Sequence, residues 1–425
     1  MELAARDFFT DHAVLLDPYA YFEAIRADGP VFRMPSRDVV IVTGHKEGVD
    51  VLLNTRDFSS IINPEPLAPL TFVPEGDDIS EQIATAKSAN PALELLVTYD
   101  GDRHTAARAL LNPIFVPSRL KANEAYMRAY ADEIVRDVVS QGGCEIVNKV
   151  ATPYVTMVVA DLLGVPDDDR EKFRAVIDSG PPPGSLDTAD AEQGAPQGSK
   201  ALMFMAGFFF QYLSDRRAEP RDDIMTELAL AKYPDGTMPD LVEAVKSAMF
   251  LFAAGQDTSA KLIGNAMRLL CERQDLQQQL RDDPALIPGF IEEVMRLEGS
   301  TKATFRLSKR RTMIGDFEVP AGQRVVIAVS AANRDPRRWE DPTEFRIGRP
   351  RIKEHLGFGR GAHTCVGAPL ARVEVAAILT CLLAQTSAIR LSEAHHGPAD
   401  GRRIDYEPSF IIRGLAELHV EFDPA

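Results

Sequence analysis

The stretch His355-Leu-Gly-Phe-Gly-Arg-Gly-Ala-His-Thr-Cys-Val-Gly-Ala-Pro-Leu370 decides how this 425-residue chain is read. Gly357, Gly359 and Gly361 recur at every second position, and Gly367 follows Cys365 by two. Glycine permits backbone angles and close approaches that a Cβ forbids, and a flat macrocycle lying against backbone needs both. A helix is predicted over Ala368–Gln385, with Pro369 suited to its first turn. A thiolate at that helix start gains unpaired amide donors and the helix dipole, the dipole alone worth on the order of 1 kcal/mol. A lone Gly-x-Gly beside a cysteine would be a turn with a packing thiol. The full pattern Phe358-Gly359-x-Gly361-x-His363-x-Cys365-x-Gly367 fixes six positions in ten, which chance rarely supplies.

The other cysteines, Cys144, Cys271 and Cys381, share no CxxC spacing and lie in apolar or helix-like surroundings. They read as packing residues, with neither a zinc site nor a redox dithiol implied. Upstream, Asp240–Arg273 reads as one long helix, apolar through Met249-Phe250-Leu251-Phe252-Ala253-Ala254. Gly255-Gln256-Asp257-Thr258-Ser259 then places an acid and a hydroxyl beside a glycine in mid-helix, against propensity. Broken local rules are a mark of function. Thr258 is positioned to bond back to the Ala254 carbonyl and bend the ladder, and Gly255 to leave an opening in the groove. For an isolated Gln-Asp-Thr, a polar face turned to solvent would be the preferred account.

On these residues the chain resembles the cytochrome P450 family from about residue 30 to residue 422, in the family's order and spacing. The resemblance implies a mainly α fold with a smaller β portion: one large domain, residues 1–425, with short β-sheets. Its β-rich part is expected at about 28–45 and 305–330, its helical core at about 104–300 and its haem-binding loop at 357–367. It implies haem b (iron protoporphyrin IX) held by Cys365 as axial iron ligand, whose thiolate favours O–O cleavage. Phe358, Gly359 and Gly367 shape that loop. Thr258 is assigned to hydrogen-bond dioxygen at the iron and Asp257 to relay protons, with Gly255 part of the same motif. Ser259 stands where a second Thr is common.

Haem carries two propionates, and fixed cations suit them. The resemblance assigns this clamp to His104, Arg108, Arg306 and His363. Tyr99-Asp100-Gly101-Asp102 departs from the family where many relatives carry prolines. Glu293 and Arg296, with Arg349, match a buried structural network supporting the cysteine loop.

A net charge of −16 disfavours nucleic acid and anionic membranes. The N-terminus lacks a signal pattern, and the apolar runs Ala201–Phe210 and Ala248–Ala254 fall short of the roughly 20 residues that span a bilayer. No transmembrane anchor and a cytoplasmic location are therefore expected. Residues 60–98 are loop-rich, Ser179–Gly198 is a forced loop, and Ser409–Phe422 ends hairpin-like.

No flavin or iron–sulfur domain fits in the remaining sequence, so electrons are expected from an external ferredoxin and ferredoxin reductase. Arg346–Arg372 holds six cations against Glu354, and Arg103–Lys121 holds four with no acid. Both are expected to face an acidic ferredoxin. Phe72, Leu93, Phe208, Phe209, Phe210, Phe250, Phe305 and Phe410 are expected to line a pocket for a small hydrophobic substrate, a terpenoid, alkyl, aromatic or steroid compound. Lys302 is the charge there, solvated or on the propionate side, with a substrate carboxylate the less favoured partner. The function implied is hydroxylation by a haem-thiolate monooxygenase. The alternatives are peroxide-driven or isomerising chemistry, which needs no Asp257–Thr258 relay, and a non-enzymatic haem sensor.

Overall fold

The computed structural model describes residues 3–89, 95–178 and 196–425. Apart from its last three residues, the expected loop Ser179–Gly198 lies outside them, as does Leu93. The fold is mainly helical with short sheets.

Its axis is a helix of 32 residues, Leu241–Glu272, which at about 1.5 Å per residue spans about 48 Å. Asp240 starts it by accepting the Glu243 amide at 2.7 Å. Helices Thr152–Leu162, Pro196–Ala218, Ile287–Glu298 and Ala368–Gln385 pack around it. Both halves of this central helix bury apolar faces, including Phe252, Ile263 and Met267. Its middle does not: Ala253 and Ala254 are exposed and residues 255–258 half-buried, between the buried Leu251, Phe252 and Ser259, Ala260. A buried helix that bares two alanines at mid-length fronts a cavity.

The five-stranded sheet runs Val31–Met34, Val39–Val42, Arg324–Ile327, Thr304–Ser308, Phe58–Ser59. Only the Val39–Val42 and Arg324–Ile327 pairing is parallel. Alternation along Thr304–Ser308 sends Phe305 and Leu307 into one hydrophobic cluster and Thr304 and Arg306 to the opposite face. That register is what buries Arg306 on the side of the cysteine loop.

Three departures from sequence expectation have physical causes. Within 60–98 a helix forms at Ser80–Ala89, burying only Ile83 and Ala86, so its apolar signal was too thin to read. Ser409–Phe422 is not a hairpin: His419–Pro424 pairs instead with Thr386–Leu391 and Gly143–Glu145, contacts far away in sequence. Finally, Gly361–Gln385 is long and apolar enough to cross a membrane by composition. Half of its most apolar stretch is buried, and helix Ala368–Gln385 packs along Pro117–Ser140 as a core element.

Glu293 is fully buried and accepts Arg296 Nη2 at 2.7 Å, Arg349 Nε at 2.9 Å and the Arg346 amide at 3.0 Å. Arg296 also donates to the Asn333 carbonyl at 3.0 Å, and the Asn333 side chain accepts the Leu356 amide at 2.7 Å. The triad thus reaches the start of the cysteine loop. Lys302, expected as a solvated or propionate-side charge, is instead buried and donates to the carbonyls of Leu15 and Ser409, facing no substrate. Arg413 reaches the Leu16 carbonyl at 2.7 Å from the same side. Removing one member of a buried charge network leaves its partners uncompensated, at about 3–5 kcal/mol. Glu293→Gln is therefore expected to lower unfolding stability by about that amount in urea titrations. An unchanged midpoint would mean the triad does not support the fold.

Candidate active site

The cysteine loop closes on itself. Cys365 N donates to the Phe358 carbonyl at 2.9 Å and Gly359 N to the Leu356 carbonyl at 2.8 Å. Gly359 and Gly361 adopt φ +67° and +73°, a left-handed backbone that side chains disfavour. The glycines also serve contacts that the sequence did not suggest. A Cβ on Gly361 would stand 2.8 Å from the Leu52 carbonyl, and one on Gly357 would stand 2.6 Å from Met295. These two therefore fit the loop onto the protein, whereas the open side of Gly367 faces the Cys365 sulfur at 3.9 Å.

Helix Ala368–Gln385 begins three residues after the cysteine, with Pro369 in its first turn. Burial pushes the Cys365 thiol up, against amide hydrogen bonds from Gly367 and Ala368 and the charges of Arg108 and Arg372. The cysteine still presents surface to solvent. A shell the sequence did not reveal backs the loop. Glu292 meets His355 Nε2 at 3.0 Å and Arg372, whose guanidinium lies 4.5 Å over the Phe358 ring. Burial would raise the Glu292 carboxyl, but these two partners hold it down at about 2.

The four clamp residues come together. His104 and His363 rings lie 4.0 Å apart, and Arg108 reaches the Ala362 carbonyl at 3.2 Å. Burial, then Arg306 and His104, depress His363 to about 3. Burial likewise lowers Arg306 to about 10, and among the described residues it hydrogen-bonds only Thr304 Oγ1 and the Phe305 carbonyl. Among the described residues Arg306 has no ion pair, and the buried His104 Nε2 has no hydrogen-bond partner. Cations left this way in an interior call for an anion.

The chain matches the Cytochrome P450 family over residues 200–389. It is 32% identical to Cytochrome P450 144 of Mycobacterium tuberculosis (strain CDC 1551 / Oshkosh) over 418 residues, 98% of this chain and 91% of that one. This chain belongs to the cytochrome P450 family. Among solved structures it resembles substrate-free CYP150A6 of Mycobacterium marinum, with TM-score 0.92, 44% identity and full coverage of both chains. It also resembles CYP109E1 of Bacillus megaterium in complex with testosterone, with TM-score 0.79 and 28% identity over 95% of this chain and 99% of that one. This P450 is thus a monooxygenase, an oxidoreductase, and binds haem b.

The residues present fit that group. A thiol at a helix start and four cationic or imidazole side chains short of an anion are the donor set an iron dicarboxylate porphyrin takes.

On the central helix, Thr258 Oγ1 donates to the Ala254 carbonyl at 2.9 Å, as its position suggested. Gly255 departs from expectation: a Cβ there would meet Val159 at 3.4 Å, so its bare side faces a packed helix and no opening. Asp257 is half-buried. Glu374 went unnoticed, and Ser259 was seen only as a departure from a second Thr. Both are buried, and Ser259 hydrogen-bonds the Glu374 carboxyl, tying the central helix to the helix after the cysteine. A lone acid in the apolar run Val373–Leu383 was the available signal.

The aromatic residues divide. Phe209 and Phe305 are core, Phe208 packs on Phe173 at 4.2 Å, and Phe210 is 47% exposed. Phe72 and Phe410 pack on the cluster beside the five-stranded sheet. Phe250 lines a cavity with Leu95, Leu96, Tyr99, Leu111 and Ser247.

Burial raises Glu374 to about 7 against the Ser259 hydrogen bond. A folded carboxyl with raised pKa binds more protons than the unfolded one, so stability falls as pH rises from about 4.5 to about 7. Glu374→Gln removes that slope. Its stability relative to wild type should improve by up to about 3 kcal/mol between pH 4.5 and 7.5. A pH-independent difference in denaturation midpoints would refute the assignment.

Proposed function

We propose that this P450 hydroxylates a small hydrophobic substrate with dioxygen, acting in the cytoplasm as one catalytic unit of 425 residues. Electrons come from a ferredoxin and its ferredoxin reductase. The observation that carries the reading is the buried, anion-deficient group of Arg306, His104, Arg108 and His363 beside Cys365. Arg306 supplies the desolvated positive charge for the propionates and His104, kept neutral by burial and by Arg108, a free ring nitrogen for hydrogen bonding, while Arg108 links that charge to the thiolate, whose field acts on it. The haem-thiolate centre supplies dioxygen activation when bound.

The chain's own part is binding, orientation and proton supply. Ala253 and Ala254 keep the middle of the central helix free of bulk, leaving room for a reactant. The Thr258 hydroxyl donates its hydrogen bond to the Ala254 carbonyl, so its oxygen is left to accept a hydrogen bond from a reactant, with Asp257 the adjacent acid for proton supply. Within the terpenoid, alkyl, aromatic and steroid classes, a steroid is supported by the testosterone bound in CYP109E1.

The docking face is narrower than the sequence suggests. Arg346 pairs with Glu340, Asp341 and Glu344, Arg351 with Glu354, and Arg372 with Glu292. Arg349 is buried on Glu293, Arg103 pairs with Glu243 and Arg119 with Glu227. Lys121, Lys353 and Arg360 keep their charge without an ion pair among the described residues, and these are the cations proposed to meet an acidic ferredoxin.

A ferrous carbon monoxide difference spectrum tests the ligand. The strongly red-shifted Soret band of a thiolate complex is expected for the wild type and should vanish in Cys365→His; a band unchanged by the substitution would end the assignment. Thr258→Ala should keep electron uptake with testosterone present but release severalfold more peroxide per electron pair. Unaltered coupling would remove Thr258 from the mechanism.

A further inference from the structure

One carboxylate stands behind the cationic clamp. Asp100 occupies the N-cap of helix Gly101–Ala109, four residues before His104, yet its side chain makes no cap hydrogen bond. An N-cap aspartate ordinarily accepts an amide of the first turn. Here both oxygens turn away. Oδ1 accepts the Ser60 amide at 3.0 Å, and Oδ2 accepts the Ser59 hydroxyl and Lys87 Nζ, the latter at 2.8 Å. Ser60 Oγ lies 3.0 Å from His363 Nε2, which joins this group to the clamp. Asp100 is also the only acidic group that acts on the buried Arg306 among the described residues.

Lys87 comes from a different part of the chain. It projects from helix Ser80–Ala89, which precedes Asp100 in the chain and is a separate element from helix Gly101–Ala109. Lys87 and Asp100 are 19% and 18% exposed, so their charges are only partly screened. Neither belongs to the clamp, and the sequence motifs gave neither a role.

We propose that Asp100 and Lys87 are positioning residues that set the net charge of the haem-propionate clamp, Asp100 as counter-ion to Arg306 and Lys87 as the offset to Asp100. Displacement of Ser80–Ala89 by an incoming molecule would therefore change the field at the haem, and with it the ease of reduction, with no direct contact. The inference rests on reading Arg306, His104, Arg108 and His363 as the propionate clamp.

The test is spectroelectrochemistry of the ligand-free holoenzyme, held at the wild-type midpoint potential. Asp100→Asn removes a negative charge, so its ratio of reduced to oxidised haem should rise by about threefold or more. Lys87→Gln removes a positive charge, and its ratio should fall by a similar factor, while Asp100→Glu should stay near wild type. Opposite signs cannot come from general loosening, which moves both variants together. Equal ratios, or shifts in one direction, with haem content and the carbon monoxide spectrum intact, overturn the proposal. If Asp100→Asn does not fold, the fall in Lys87→Gln and the recovery in Asp100→Glu decide it. Arg306→Gln separates the underlying reading: faster haem loss with unmoved ratios in the pair refutes this inference alone. Wild-type haem retention in Arg306→Gln refutes the clamp.

Discussion

The Glu293 carboxylate, sealed from solvent and gripped by two guanidinium groups, is the contact on which the rest of this architecture leans. Its cost is the desolvation of three charges, recovered only because each oxygen and nitrogen has a defined partner. What that arrangement secures is direction. Arg296 and Arg349 use their remaining donors on the carbonyls of Asn333, Glu340, Pro342 and Glu344, so an irregular segment is held at many points. From Asn333 the order passes to Leu356, and from Leu356 to the loop that carries Cys365. A ligand presented by a glycine-rich loop is only as well placed as the frame beneath it. A second carboxylate, Glu292, repeats the device one residue earlier in the chain with His355 and Arg372.

Charge is balanced almost everywhere except at the clamp. Most cations of the basic segments find acids, several of them distant in sequence, and the apparent positive face largely disappears into the fold. Arg306 is the exception that matters, because it is buried and, among the described residues, has no ion pair, with Asp100 the one acid whose field reaches it. Electrostatic imbalance that a fold maintains at a cost is a sign of a ligand.

The cysteine loop, the Thr258 turn of the central helix and the Glu293–Arg296 pair were legible in the sequence because each is short, local and fixed in spacing; Arg349, 56 residues on, was placed by the family resemblance and not by local pattern. Thr258 bonding back to Ala254 follows from helix geometry alone. What was not legible was anything decided by a partner far along the chain. Glu292 needs Arg372, 80 residues on, to acquire meaning, and Ser259 needs Glu374. Gly255 was read as an opening because the sequence does not say which neighbour fills its bare side; Val159 does. The aromatic residues illustrate the same limit, since Phe209 and Phe210 are adjacent yet one is core and the other faces water. The helix Ser80–Ala89 was hidden by its polarity, with two buried residues in ten.

Lys302 stitches the two ends of the molecule to its centre. Its ammonium rests on the carbonyl of Leu15 from one side and of Ser409 from the other, with Arg413 on Leu16 beside it. Detaching the amino-terminal helix would strand a cation in an apolar interior, a penalty of at least a few kcal/mol. The first sixteen residues are consequently part of the cooperative folding unit, and trimming them back to the first β-strand would unsettle the turn at Ser409 on the far side of the chain.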